Sequence, residues 1–372
     1  MMTTLRWGMR LAALVVVLAT AGPSLAEGLR QETLRIPAMI SEAGGAKTFE
    51  LEALVLRPDD PLTHPLAVLN HGSPRDGDDR AAMSPNGLSA QAREFARRGF
   101  VAVAFMRRGY GQSEGGWAEN YGSCADPDYA KAGRAGAEDI AAVARFMQTE
   151  PYVRKGGWIS VGVSAGAFAT VALTADAPRD LAAAISFAPG RGSSSPDTVC
   201  GDSRLVDAFT QYGRTSRVPL LWVSAANDHF FGPALVDRLS EAFTRGGAKP
   251  TLVRTPVFGD DGHKLFSAKG IPVWSPIVDA FLAKNGLAPR PVPIALADVP
   301  PPTNLDARGR HAFADYVLSG SNKAFAVGPG TRFGWATGRR TAEQAKTDAL
   351  ALCAGSSAAK CAVVNVNDGL ER

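Results

Sequence analysis

The chain has little that would carry it to nucleic acid or hold it in a membrane. It contains no run of basic residues, and its net charge is only +4 over 372 residues. That is too small for the electrostatic footprint of a nucleic-acid binder. Cysteine is scarce, with four residues, and none is spaced to gather a zinc ion. No metal and no organic cofactor is expected. Nowhere does an apolar run reach the ~20 residues a membrane span needs. What remains, 45% hydrophobic and 20% charged, is the composition of a globular protein.

The one strongly apolar segment is at the start. Arg6 and Arg10 precede the run Leu11 to Thr20, and small residues close it at Pro23-Ser24-Leu25-Ala26. This is the pattern of a secretory signal cleaved after Ala26. It makes residues 1–26 a signal peptide and the mature protein periplasmic or secreted, with no membrane span after cleavage. Arg6 and Arg10 are the only charges lost with it. Export permits disulfides, and four cysteines can pair in three ways. Cys353 and Cys361 are close in sequence, which leaves Cys124 with Cys200.

Along the chain, Glu32 to Ile36 and Lys47 to Arg57 alternate apolar and polar residues and read as an edge hairpin. Leu66 to Asn70, Phe100 to Phe105 and Trp158 to Gly162 are short apolar runs, as buried parallel strands require, and Ala183 to Phe187, Pro219 to Ala225 and Thr251 to Val257 read as further strands. Helical periodicity lies between them, at Ser89 to Arg98, 130–149, Ser203 to Tyr212, Pro233 to Arg245 and Pro272 to Lys284. The alternation predicts an α/β fold over residues 27–285, with a mostly parallel sheet and helices on both faces. Residues 286–303 are a proline-rich linker. Residues 304–372 read as a small α+β module, with a helix from Thr341 to Cys353, a strand at Cys361 to Val366, and a Cys353–Cys361 staple suited to so small a core. The linker is expected to hold the module at a distance and leave it dispensable for chemistry.

In such a sheet, ligands bind beyond the carboxyl ends of the strands. Gly162-Val163-Ser164-Ala165-Gly166 lies there, between a strand and a small-residue helix. It is a G-x-S-x-G turn whose small neighbours let the serine stand clear of the sheet. A second copy, Gly111-Gln112-Ser113-Glu114-Gly115, is not followed by a helix and is read as structural. Of five histidines, His263 follows the last strand in a glycine-flanked loop and is the candidate base. Asp228, at the end of another strand, is the candidate acid, with Asp260 and Asp261 as rivals. The backbone N–H groups of Ala165 and of Ser73, in the His71-Gly72-Ser73-Pro74 turn, are candidate oxyanion donors. Trp117, Tyr121 and Tyr129 could line a pocket or merely pack a loop.

The order Ser164, Asp228, His263, with the elbow on the fifth main strand and His71-Gly72 after the third, resembles the α/β-hydrolase family across residues 30–285. The His71-to-Pro74 turn, Arg108-Gly109-Tyr110-Gly111-Gln112-Ser113 and the helix 130–149 resemble its dienelactone-hydrolase and prolyl-oligopeptidase-like branch. Dienelactone hydrolases carry cysteine where this chain has Ser164, so their substrate does not transfer. Lys323 to Val327, Arg332 to Gly338 and Cys361 to Val364 resemble a small secreted module of obscure function, and its partner is unknown. The resemblance implies a serine hydrolase, foremost a carboxylesterase acting on small-molecule esters. An oligopeptidase or amidase shares the same parts. A non-catalytic binding protein on a hydrolase core is the third reading.

Overall fold

The computed structural model describes residues 28–42, 44–288, 290–292, 298–356, 360–367 and 369–370. The expected signal peptide and part of the linker lie outside them.

The chain opens with a long hairpin, β1 (Leu29–Glu42) and β2 (Gly45–Pro58). Then come β3 (Leu66–Asn70), α1 (Ser89–Arg97), β4 (Val101–Phe105), α2 (Tyr129–Met147), β5 (Trp158–Val163), α3 (Ala165–Ala175) and β6 (Leu181–Phe187). A minor hairpin, β7 (Ser193–Ser195) and β8 (Thr198–Val199), is followed by α4 (Asp202–Gly213), β9 (Leu220–Ala225), α5 (Pro233–Arg245), β10 (Thr251–Thr255) and α6 (Ile271–Lys284). Eight strands form one sheet in the order β1-β2-β4-β3-β5-β6-β9-β10. β1 with β2, and β2 with β4, are antiparallel, while every pairing from β4 to β10 is parallel.

The apolar runs of β3 and β4 are buried at every residue, because both faces of the sheet are covered. On one face Val68, Val103 and Trp222 pack with Ile140, Phe168, Phe209 and Phe243 from α2 to α5. On the other, Leu69, Ile185 and Val223 pack with Phe95 of α1 and with Trp274 and Val278 of α6. Successive strand residues point to opposite faces, so neighbours such as Val68 and Leu69 serve different cores. Burial of each such side chain stabilises the fold by roughly 1.5–3 kcal/mol. The layers fix the strand ends, and the loops beyond β3, β5, β6, β9 and β10 share one edge.

The C-terminal residues add α7 (Ala307–Leu318), β11 (Ala324–Val327), β12 (Phe333–Ala336), α8 (Ala342–Ala354), β13 (Ala362–Val366) and β14 (Gly369–Leu370), with an antiparallel sheet β12-β11-β13-β14. Thr341 caps α8 by accepting the N–H of Gln344, as Ser and Thr caps do. Cys353 is bonded to Cys361. The module is not held away from the larger unit. Arg93 donates to the Ser319 carbonyl at 2.7 Å, Ser321 bonds Gln31 at 3.0 Å, and Lys269 pairs with Asp315 at 3.0 Å. Arg340 bonds both Glu52 and the Met83 carbonyl. A β-carbon on Gly320 would fall 1.6 Å from Ser89 Oγ. A proline-rich stretch limits how far the chain can fold back locally. It sets no distance between units that carry complementary surfaces.

Candidate active site

Ser164 sits between β5 and α3 with φ 55° and ψ −122°, a backbone state that L-residues with a β-carbon seldom adopt outside functional turns. The surrounding chain imposes it. A β-carbon on Gly162 would lie 2.4 Å from the Gly166 carbonyl oxygen, and one on Gly166 would lie 2.4 Å from the carbonyl oxygens of Asn70 and His71. Only glycine fits at either position. The Ser164 N–H is held by Phe187 O at 2.9 Å, which ties the elbow to the end of β6. The side chain is left at the cleft floor.

Asp228, beyond β9, has a fully buried side chain, and its oxygens lie 3.1 and 3.0 Å from His263 Nδ1. Its Oδ1 also accepts the N–H groups of Phe230 and Phe231 at 2.7 and 2.9 Å. An ionised carboxylate only accepts, so Nδ1 carries the proton and Nε2 is free to act as a base. The rival Asp261 is otherwise engaged. Its Oδ1 accepts the N–H of His263 at 2.9 Å and of His229 at 3.1 Å. Burial raises its pKa, but those backbone donors outweigh burial and hold it below the usual carboxylate range. Phe230 stacks on the His263 ring at 3.9 Å and 12°, and Phe231 meets it edge-on at 5.5 Å. Ser164 Oγ makes no hydrogen bond to His263 among the described residues. Such contacts often close only around a substrate.

The turn after β3 comes up against the elbow, where a β-carbon on Gly72 would stand 3.1 Å from Ser164 Cβ. Ala165 begins α3, so its N–H has no helical carbonyl to bond. His71 is a strut for this turn rather than a second base. Its Nδ1 lies 2.6 Å from Gly72 O, and its Nε2 accepts the Arg107 N–H at 3.1 Å. Burial, helped by the Arg107 charge, holds its pKa well below the ordinary value, which keeps it neutral.

A sequence model of the family described as X-Pro dipeptidyl-peptidase (S15 family) matches residues 47–198. That segment contains the elbow and ends before Asp228 and His263. No curated protein matches the sequence significantly. Two solved structures share the architecture at a TM-score of 0.50. One is a candidate dipeptidyl aminopeptidase IV from Bacteroides ovatus, at 16% identity over 68% of this chain and 35% of that one. The other is the Pyrococcus horikoshii acylaminoacyl peptidase, at 15% identity over 72% and 43%. The Pyrococcus furiosus esterase Pf2001 is also similar, at 14% identity over 68% and 93%, with a TM-score of 0.46. The chain is a serine hydrolase with the α/β-hydrolase fold. It spans well under two thirds of either peptidase's length.

Several residues of this hydrolase's cleft were not singled out by sequence. The cleft, about 70 Å³, is lined by Arg75, Arg80, Arg191, Trp117, Phe230 and Phe231 beside Ser73, Ser164 and Ala165. Arg75, Arg191 and the phenylalanines each follow a strand end, so their position on the productive edge was the available signal. Under the cleft Glu119 joins Arg107 and Arg191, the latter at 2.6 Å, and Tyr110 bonds both Glu119 and Ser73 Oγ. Burial raises the Glu119 pKa, but the two guanidiniums outweigh it and hold the carboxyl down at about 2. Trp117 and Tyr121 line the cleft. Tyr129 instead packs beneath and donates to the Cys200 carbonyl. Cys124 is bonded to Cys200, joining the loops after β4 and β6. Ser113 is fully engaged, donating to Met106 O at 2.6 Å and accepting the Glu52 N–H at 3.0 Å.

Proposed function

We propose that this hydrolase is an exported carboxylesterase acting on small esters, with Ser164 as nucleophile, His263 as base and Asp228 as its orienting acid. Ser164 Oγ attacks the ester carbonyl and its proton passes to His263 Nε2. The N–H groups of Ser73 and Ala165 receive the oxyanion, each such donor being worth about 100- to 1000-fold in rate. Collapse expels the alcohol, protonated by His263. Water then enters through the same base and releases the acid. Asp228 holds the imidazole and stabilises its cation.

The observation that carries this reading is the Asp228–His263 pair, stacked under Phe230 beside the strained turn of Ser164. The family match gives a peptidase reading its own support. The cleft lining argues against an aminopeptidase. A dipeptidyl-peptidase must hold an α-ammonium, and the lining offers three arginines and no carboxylate. Turnover of matched phenyl esters and anilides by the mature protein tests the choice. Esters should be hydrolysed at least about 100-fold faster, a difference of about 2.7 kcal/mol. Faster release from an X-Pro anilide would overturn it. Export rests on the Arg6-to-Ala26 pattern and is tested by the mass of the secreted chain. A product that retains residues 1–26 would contradict it.

A further inference from the structure

Each side chain that lines the Ser164 cleft and bears a permanent charge bears a positive one. These are Arg75, Arg80 and Arg191. The acids nearby have other partners. Glu119 is shared between Arg107 and Arg191, so one carboxylate faces two guanidiniums and a positive charge is left over. Asp228 faces His263, and Asp197 faces His229. Arg75 bonds Ser193 Oγ and His229 O, both at 3.0 Å, and lies 3.5 Å over the Phe230 ring. Arg80 lies 4.1 Å over the Trp117 ring. Neither forms an ion pair among the described residues. Guanidiniums held over aromatic rings without an ion-pair partner are pre-organised donors, and planar anions match their fork geometry.

We propose that the cleft takes a short ester carrying a carboxylate a few atoms from the scissile carbonyl, with the anion held by Arg75 and Arg80. This rests on the esterase reading and names its substrate class. The surplus charge of the Arg107–Glu119–Arg191 cluster draws the anion in.

The test compares two pairs of esters. Monophenyl glutarate against phenyl valerate places the anion in the acid. 4-Acetoxybenzoate against 4-methylphenyl acetate places it in the alcohol. Within one pair, kcat/KM for the anionic ester should exceed that for the neutral one by about 10-fold or more at low salt, which corresponds to 1.4 kcal/mol. The ratio should fall as salt rises from about 0.02 M to about 0.5 M, because exposed charges are screened. In the R75Q/R80Q double variant the ratio should fall towards one. Because it is taken within one protein, it is insensitive to any general loss of activity from disturbing the Phe230 stack. The salt titration needs only the native chain, so it decides the matter even where the variant does not fold. A ratio at or below one in both pairs at low salt, with the neutral esters hydrolysed, overturns this inference alone. No turnover of any of the four esters and no phosphonate labelling would defeat the esterase reading with it.

Discussion

Gly166→Ala isolates the coupling between the elbow and the oxyanion turn. The added β-carbon would lie 2.4 Å from the carbonyl oxygens of both Asn70 and His71, and 2.6 Å from the Asn70 carbonyl carbon. All three are backbone atoms, so no flexible side-chain tip can yield. Ordinary contact requires the end of β3 to withdraw by about 1 Å, and a misplacement of that size can cost about 100-fold in rate. Overpacking of this kind also costs about 1–3 kcal/mol of stability, and the rigidity here points to the upper end. The assay is urea unfolding paired with kcat on phenyl acetate. Gly44→Ala serves as the control, since its β-carbon would meet nothing within 4 Å. An alanine at 166 that changes stability by less than about 0.5 kcal/mol, the usual range for surface substitutions, and leaves kcat unchanged would refute the reasoning.

Three further outcomes follow from particular contacts. Glu119 has a depressed folded-state pKa, about 2 against an ordinary 4.5, so its contribution is complete above pH 4.5 and is lost as pH falls towards 2. Glu119→Gln should cost about 3–5 kcal/mol at pH 7 by leaving two arginines unbalanced, and the gap to the native protein in urea midpoint should narrow below pH 4.5. Replacing both Cys124 and Cys200 by alanine should cost ~2–5 kcal/mol, measured by unfolding of the non-reduced chains. Arg340→Ala should weaken docking of the C-terminal module by about 1.5–3 kcal/mol, seen as earlier proteolysis of the module. It should also lower kcat/KM, because Met83, which Arg340 holds, ends the turn carrying Arg80.

The centre of the sheet was legible because its strands are short apolar runs that can only be buried, and Ser164 and Asp228 each follow one, whereas the edge strand before His263, Thr251–Thr255, is mostly not buried. The minor hairpin at Ser193–Ser195 and Thr198–Val199 was not legible. It is too short and polar to leave a period, and the Cys124–Cys200 bond and the Tyr129 hydroxyl lie against it. The helix Ala307–Leu318 was missed because few of its residues are buried, leaving a weak apolar stripe. Module docking was also missed. It rests on long-range contacts, among them the bonds of Arg340, Arg93, Lys269 and Ser321, and nothing local in sequence marks such partners. The cleft arginines posed the same difficulty. The role proposed for Arg75 and Arg80 follows from their having no ion-pair partner among the described residues, which only the folded chain reveals.

Labelling of the protein by a fluorophosphonate, followed by mapping of the modified residue, bears most directly on the mechanism. The account predicts a single adduct on Ser164, abolished in Ser164→Ala, slowed sharply in His263→Ala and less so in Asp228→Asn, and unchanged in Ser113→Ala. An adduct that persists in Ser164→Ala and disappears in Ser113→Ala would contradict it.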